Sequence, residues 1–175
     1  MGELRVFNRF DIVRIMALQH EKIIDIGCNI GETFGDKATN VDIHSLEDKR
    51  KESGDPNLVI PNYIHANGED MPFIKDKAYD VAVCSEVLEH TSDPLKLLNE
   101  AQRIANVIIV CVPNEYEWTP DHTPFQNSDH KRSFTEQAFF QLITDSGLKV
   151  VEAITLRYAG WSYWIVEGLS KNVNT

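Results

Sequence analysis

The chain has 175 residues, of which 42% are hydrophobic and 25% are charged. These values are ordinary for a globular protein and exclude a wholly disordered, collagenous or coiled-coil chain; the length suits one compact domain over residues 1–175. Lysine and arginine total 17 against 27 aspartates and glutamates. The resulting formal net charge of −10 disfavours nucleic acid as a partner, because such a surface repels phosphate unless its basic residues gather on one face.

The apolar runs and cysteines indicate the cellular setting. No run is long enough to span a bilayer, and the N-terminus lacks the apolar core of a signal peptide, so we expect a cytoplasmic protein with no membrane partner. Cys28, Cys84 and Cys111 are an odd number without CxxC spacing, and each lies in or beside an apolar run. This pattern predicts buried, reduced thiols.

The first half of the chain predicts a helix followed by parallel strands. Phe10, Val13, Met16 and Ala17 fall at helical spacing and predict a short amphipathic helix within residues 9–19. Brief apolar or β-branched runs then predict strands at residues 22–27, 38–42, 63–66, 79–85 and 107–112. The richest of these runs are apolar on both faces, which is typical of parallel strands covered by helices.

The second half of the chain contains clearer signals for where helices begin and end. Asp93 before Pro94 is an N-cap with proline at the first helical position and predicts a crossover helix over residues 94–105. Ser133 or Thr135 caps a second helix, which Gly147 ends. Two further strands, at residues 148–154 and 163–169, are too close in sequence for a helical crossover and predict an antiparallel pair. Residues 48–61 and 113–129 are interpreted as loops within the domain.

A strand that runs into a glycine-containing loop is the most informative segment, at residues 23–31. Glycines let the backbone approach a ligand closely, as in nucleotide-binding loops, although a plain tight turn is a comparable interpretation of two glycines alone. The next strand ends at Asp42, where a carboxylate can accept hydrogen bonds from both hydroxyls of a ribose. The alternative is a helix cap or a solvated acid.

Four blocks, in this order, resemble the class I S-adenosylmethionine-dependent methyltransferases, especially the small-molecule group with a ubiquinone/menaquinone-methyltransferase-like domain. They are D-I-G-C-N-I-G at residues 25–31, the strand-end acid Asp42, A-N-G-E-D-M-P-F at residues 66–73 and Y-D-V-A-V-C-S-E-V-L-E-H at residues 79–90. The resemblance implies an α/β, Rossmann-like methyltransferase fold with a mostly parallel seven-stranded sheet and an antiparallel C-terminal strand pair. It also implies methyl transfer from S-adenosylmethionine, leaving S-adenosylhomocysteine, to an unidentified small-molecule acceptor.

The same resemblance assigns cofactor-binding roles residue by residue. The loop residues would surround the amino-acid part of the cofactor, Asp42 would bind the ribose, Ile43 would lie against the adenine, and Asn67 would accept a hydrogen bond from the adenine amino group. The block after the fourth strand would border the methionine part. The complete set is Asp25, Gly27, Cys28, Asn29, Gly31, Asp42, Ile43, Asn67, Gly68, Glu69, Cys84, Ser85 and Glu86.

The sequence departs from the family pattern at three points. Asn29 replaces the middle glycine of the loop, and we expect the turn to survive because asparagine tolerates left-handed backbone angles. The stretch from Asp25 to Asp42 is short for the family, so the first crossover helix should be reduced to a single turn at residues 32–35. No inserted substrate cap is present, which implies an acceptor pocket that is open, or one completed by a second copy of the chain or by a partner protein.

Three histidines could remove a proton from the acceptor, because imidazole titrates near neutral pH: His122, His130 and His90. His122 is the preferred base, since its loop follows the fifth strand and should overhang the cofactor. Each also has a structural interpretation: His90 as a loop cap, His122 as a solvated side chain and His130 as a hydrogen-bonding partner within its loop. No HxH, HxxxH or CxxC spacing is present, so no metal site is expected.

Two other functions remain open from the sequence. A methyltransferase-fold binding or accessory protein without catalysis would explain the short first helix, the substituted glycine and the missing cap. An NAD-dependent oxidoreductase shares the glycine loop and the ribose acid but leaves the blocks at residues 66–73 and 79–90 unexplained. Five aromatic residues could line an apolar acceptor pocket, although Trp164 is better assigned to the core: Trp118, Phe125, Trp161, Tyr163 and Trp164.

Overall fold

A seven-stranded sheet covered on both faces organises the part of the chain that the computed structural model describes, residues 7–119 and 127–171. The helices are α1 (Arg9–Ala17), α2 (Leu46–Ser53), α3 (Pro94–Ile104) and α4 (Glu136–Ser146). The strands are β1 (Ile23–Ile26), β2 (Ala38–Asp42), β3 (Tyr63–His65), β4 (Tyr79–Ser85), β5 (Ala105–Pro113), β6 (Lys149–Tyr158) and β7 (Trp161–Leu169).

The strand order is β3-β2-β1-β4-β5-β7-β6. The first five strands are parallel, and β7 is antiparallel to both β5 and β6. The mostly parallel sheet with its C-terminal antiparallel pair confirms the expected fold class. No helix among the described residues has the length and apolar character to cross a membrane.

Both faces of the central strands are apolar because both are covered. On β4, Ala82 and Cys84 belong to a core shared with α3 and α4, whereas Val81 and Val83 belong to a core shared with α1. The alternation of side chains along a strand divides the residues between these two layers. The continuous apolar runs of the sequence therefore reflect burial on both sides.

The predicted helix boundaries are set by the expected caps. The Asp93 side chain accepts from the Lys96 N–H at 3.0 Å at the start of α3. Thr135, rather than Ser133, caps α4, and Gly147 ends that helix in the left-handed conformation at φ +72°. Such caps satisfy backbone groups that a helix leaves unpaired at its ends.

The first crossover is short, as predicted. Between β1 and β2 the chain forms one hydrogen-bonded turn over the predicted residues 32–35, where the Gly35 N–H donates to the Gly31 carbonyl at 3.0 Å, followed by a 3₁₀ turn at Gly35–Lys37. Buried Asn40 of β2 holds this crossover, since its side-chain NH₂ donates to the Gly35 carbonyl at 2.9 Å and to the Pro61 carbonyl at 2.6 Å. A side-chain amide thus replaces some of the support that a full helix would provide.

The prediction that residues 48–61 form a loop is wrong in its first part, because α2 occupies Leu46–Ser53. Its polar sequence has no apolar periodicity, and Lys49 is its only buried residue. The helix is instead defined at its ends, by a capping box between Ser45 and Asp48 and by left-handed Gly54. The S-x-x-D pattern was the sequence signal for it.

Candidate active site

A cleft of about 1030 Å³ lies at the carboxyl ends of β1, β2 and β4. This is the edge at which ligands bind in open α/β sheets. The loop after β1, the tip of β2, residues 66–69 and the segment after β4 line it, together with the start of α1 and residues 127–131. Most of the residues predicted to bind the cofactor therefore meet in one place.

The loop after β1 contains two residues, Gly27 and Asn29, whose backbone is in the left-handed region. Gly27 has φ +79°, and a Cβ at this position would lie 2.5 Å from the Cγ2 of Val87. Asn29 has φ +52°, so the asparagine adopts the left-handed conformation expected of the missing glycine.

Asp42 closes this loop from β2. One carboxylate oxygen accepts from the Asn29 N–H at 3.0 Å, and the other accepts from the His44 N–H at 3.0 Å. The first oxygen also lies 3.4 Å from the Lys49 ammonium, with both side chains less than a tenth exposed. Since a carboxylate has about four lone-pair sites, these two N–H donors leave about two of them, and the Lys49 ammonium faces the carboxylate as an ion pair.

Lys49 was not found by sequence reasoning, because it lies on the unpredicted helix α2. Its ammonium also donates to the Asn29 side-chain oxygen at 3.3 Å. Asp42, Asn29 and Lys49 thus form one polar cluster at the floor of the cleft. The cation offsets part of the negative charge that Asp25 and Asp42 place there.

Asp25 is buried at the end of β1, and one of its carboxylate oxygens has no hydrogen-bond partner. Burial, followed by the charge of Asp42, raises the pKa of Asp25 to about 7. A carboxyl group poised near neutrality at the floor of a cleft is a typical feature of a ligand site.

Residues 66–69, from the third of the four blocks that resemble the methyltransferases, form a hydrogen-bonded part of the cleft lining. Asn67 accepts from the Glu69 N–H at 2.9 Å, and the Glu69 carboxylate accepts from the Ser92 and Asp93 N–H groups at 2.9 and 3.0 Å. A Cβ on Gly68 would lie 2.5 Å from the Cγ2 of Ile26. Glu69 therefore ties this block to the start of α3, and Gly68 permits its close contact with β1.

Two predicted cofactor residues do not line the cleft. Cys84 is fully buried in the core beneath α3 and α4, and burial raises the pKa of its thiol, so it is inert packing. Gly31, at φ +75°, packs against Ile60 and shapes the loop. By contrast, Cys28, Ile43, Ser85 and Glu86 do line the cleft, and the Ile43 side chain is 60% exposed.

Arg9 of α1 forms one wall of the cleft and was not predicted. Its guanidinium forms an ion pair with Glu86, donating to one carboxylate oxygen at 3.0 Å, and donates to the Tyr158 hydroxyl at 3.0 Å. It also lies 4.1 Å from the ring centre of Phe10. Glu86 itself has φ +52°, a strained conformation of the kind that clusters at functional sites.

His90 and His130 lie side by side in the lining of the cleft, with ring centres 4.7 Å apart. The Nδ1 of His90 is 3.1 Å from the Asp129 carbonyl, and the Nδ1 of His130 is 2.9 Å from the Glu115 carboxylate. Burial, followed by the neighbouring His130, lowers the pKa of His90. Both predicted bases thus reach the cleft, whereas His122 and Phe125 lie outside the described residues.

Glu89 lies behind the two histidines and is 1% exposed. Neither carboxylate oxygen has a hydrogen-bond partner on another residue. Burial is the main cause that raises the pKa of Glu89 to about 8. One donor atom from each of Glu89, His90 and His130 lies within 4.8 Å of the others, a grouping that spacing along the chain did not indicate.

The segment after the undescribed residues 120–126 is fixed on the loop that follows β4. The Lys131 N–H donates to the Glu89 carbonyl at 2.9 Å, and Arg132 donates to the Leu88 and Thr91 carbonyls at 2.9 Å each. These contacts hold His130 beside His90. The described aromatic candidates do not line the cleft, and Trp164 stacks on Phe139 in the core as expected.

The strand order, the glycine loop and the strand-end acid together define an α/β domain with a cleft at the edge of the sheet where open α/β sheets bind ligands. The methyltransferase-domain family matches residues 7–153. The chain belongs to this family.

Curated relatives match in part. A ubiquinone biosynthesis O-methyltransferase of Hydrogenovibrio crunogenus is 26% identical over 116 residues, which cover 58% of this chain and 48% of the relative. A thiol S-methyltransferase of Rattus norvegicus is 32% identical over 90 residues, covering 47% of this chain and 37% of the relative. The matched regions thus span half or less of the length of these relatives.

Solved structures share the fold at low identity. One is a 1,6-didemethyltoxoflavin-N1-methyltransferase of Burkholderia thailandensis with bound S-adenosylhomocysteine. Its TM-score is 0.67 at 12% identity, and the match covers 93% of this chain and 78% of the methyltransferase. The structure of the 4+2 cyclase SpnF has a TM-score of 0.67 at 11% identity, and the match covers 92% of this chain and 80% of SpnF. The fold is therefore shared by proteins of different named activities.

Proposed function

We propose that the chain is a single methyltransferase domain that binds S-adenosylmethionine in the cleft and transfers its methyl group to a small-molecule acceptor. The observation that carries the proposal is the junction of β1 and β2, where the left-handed loop of Gly27 and Asn29 is hydrogen-bonded to Asp42 at the cleft floor. Family membership and relatives named as O- and S-methyltransferases support the reaction class.

The cofactor would span the floor of the cleft. Its amino-acid part would lie near Asp25, Gly27 and Cys28, and its ribose near Asp42, with the adenine between Ile43 and Asn67. Asp42 has about two lone-pair sites beyond those that its backbone donors use, so it could accept from both ribose hydroxyls, with the Lys49 ammonium close to one of its oxygens. S-adenosylmethionine supplies an activated methyl on a sulfonium when bound.

The acceptor would enter on the side of Arg9, Glu86, His90 and His130. Methyl transfer is an in-line displacement, so the protein must align the two reactants and, for an oxygen or nitrogen acceptor, take up a proton. His90 suits the second task, because its lowered pKa keeps it unprotonated near neutral pH. His130 and His122 are the other candidates for this base.

Calorimetric titration with S-adenosylhomocysteine, S-adenosylmethionine and NAD tests the cofactor. We expect micromolar binding of the first two, a standard free energy of about −8 kcal/mol at 1 μM, and none of NAD. Asp42→Asn should abolish this binding, whereas Asp48→Asn, an exposed helix-cap aspartate in α2, should leave it unchanged. Equal binding by the wild type and the Asp42 variant would remove Asp42 from the ribose site.

A second candidate is a methyltransferase-fold protein without methyl transfer. The ion pair of Asp42 with Lys49 at the expected ribose position and the short first crossover favour it, and the fold of SpnF, named as a cyclase, is of the same kind. Incubation with methyl-labelled S-adenosylmethionine and a panel of phenol, thiol and amine acceptors separates the two. Labelled product supports transfer, and cofactor binding without any product supports the second candidate.

A further inference from the structure

We propose that Glu89, His90 and His130 form a binding site for a divalent transition-metal ion of the zinc class in the wall of the cleft. Two imidazole nitrogens and one carboxylate oxygen lie within 4.8 Å of one another, with Glu89 and His90 on the loop after β4 and His130 on a separate segment. Ligands of a tetrahedral zinc ion lie about 3.4 Å apart, because each is about 2.1 Å from the metal. Small side-chain rotations would close the site.

The carboxylate of Glu89 gives an independent indication of a ligand. It is buried, and both oxygens lack a hydrogen-bond partner on another residue. The two arginines whose charges act on it are engaged elsewhere: Arg132 donates to backbone carbonyls, and Arg9 donates to Glu86 and Tyr158. An unpaired buried carboxyl is costly, and a bound cation would remove that cost.

The outer contacts of both histidines are those that orient metal ligands. Each Nδ1 lies against an oxygen, the Asp129 carbonyl for His90 and the Glu115 carboxylate for His130. A ring whose Nδ1–H donates to an oxygen has its lone pair on Nε2, the form that binds a metal. Glu115 also accepts from the Ser133 hydroxyl, so this support is itself fixed in place.

The composition of the site selects the ion. Imidazole favours zinc and the later transition metals, whereas magnesium and calcium prefer oxygen ligands throughout. His90 and His130 line the cleft, and Glu89 lies behind them. Three protein ligands with one side toward a cleft match a site that leaves a coordination position open. In the zinc-bound chain neither His90 nor His130 could also act as the base, since both ring nitrogens would be engaged.

Titration of the chelator-treated, dialysed full chain with ZnCl₂, monitored by calorimetry, tests the site. We expect one zinc ion per chain with a micromolar or lower Kd, and no competition from equimolar MgCl₂. Glu89→Gln and His130→Gln should each weaken binding at least tenfold, and Glu115→Gln should weaken it about tenfold through the orientation of His130. His20→Gln, a matched histidine change in the loop between α1 and β1, should have no effect.

Long-range ¹H–¹⁵N NMR of the wild-type histidines keeps the test independent of variant folding. Zinc should shift the Nε2 resonances of His90 and His130 and leave those of His20 and His65 in place. The proposal is overturned by an absence of zinc binding, by equal affinity in the Glu89 variant, or by shifts at other histidines instead. No methyl donor is present in either measurement, so the result is separate from that for the proposed function.

Discussion

The Lys49 ammonium lies 3.4 Å from the Asp42 carboxylate, and both side chains are less than a tenth exposed. Lys49 comes from a polar helix, and Asp42 from the tip of β2. The pair therefore fixes α2 to the edge of the sheet at the point where we place the ribose. Cofactor binding and the position of α2 should depend on the same carboxylate.

The first prediction concerns this ion pair. Lys49→Met should lower the free energy of unfolding by about 2 kcal/mol, because it leaves a buried carboxylate with only its two backbone donors. Asp42→Asn should also destabilise the chain, and the double variant should be more stable than the sum of the two effects predicts. Urea unfolding of all four proteins measures this coupling.

Lys51→Met is the matched control for that prediction. Lys51 is on the same helix, 67% exposed, and pairs with Glu47 at 2.9 Å. Exposed pairs of this kind contribute little, so we expect a change of less than about 0.5 kcal/mol. Equal losses in the Lys49 and Lys51 variants would mean that the pair with Asp42 has no special weight.

The second prediction concerns the loop after β1. Gly27→Ala should destabilise the chain by more than Gly35→Ala, because both glycines have positive φ but only Gly27 would place its Cβ 2.5 Å from Val87. The Gly35 variant isolates the cost of the left-handed backbone, about 1 kcal/mol. Thermal unfolding of the two variants compares them, and similar melting temperatures would argue against the steric contact.

The third prediction concerns pH and Asp25. Its pKa is raised from 3.8 to about 7 by burial and by Asp42, so the folded chain keeps a proton there that the unfolded chain releases. The resulting stability is present below about pH 4 and is lost as pH rises through 7. Asp25→Asn removes this loss and should raise the Tm of the ligand-free protein at pH 8 by about 3 °C or more, and less at pH 5.

Differential scanning fluorimetry at both pH values tests whether the gain in Tm is larger at pH 8 than at pH 5, with the exposed Asp36→Asn change as the control. The control should show the pH dependence of the wild type. A gain in Tm for the Asp25 variant that is larger at pH 5 than at pH 8 would contradict the assignment.

The fourth prediction concerns the wall formed by α1. Arg9→Gln removes the ion pair with Glu86 and weakens the contact with Tyr158, so α1 should exchange its amide hydrogens about tenfold faster. The protection of β4 and β5 should remain. Hydrogen exchange followed by mass spectrometry measures both, with Arg14→Gln, an exposed residue of the same helix, as the control. Equal exchange in the two variants would mean that Arg9 does not fasten the helix.

The sequence by itself determined the positions of most strands and the ends of two helices. Apolar runs buried on both faces, such as Tyr79–Ser85, are typical of parallel strands covered by helices, and the Asp93 cap and Gly147 act on neighbouring backbone groups only. The left-handed Asn29 was equally predictable, because that preference belongs to the residue itself. These signals act within a few residues of the chain.

Only the tertiary structure decided which polar groups meet. The spacing of residues along the chain does not show that α2 brings Lys49 to Asp42, that Arg9 reaches Glu86, or that Cys84 faces the core instead of the cleft. In the same way, it does not show that Glu89, His90 and His130 converge. Each of these contacts depends on how separate elements pack, and packing is governed by the burial of other, apolar side chains.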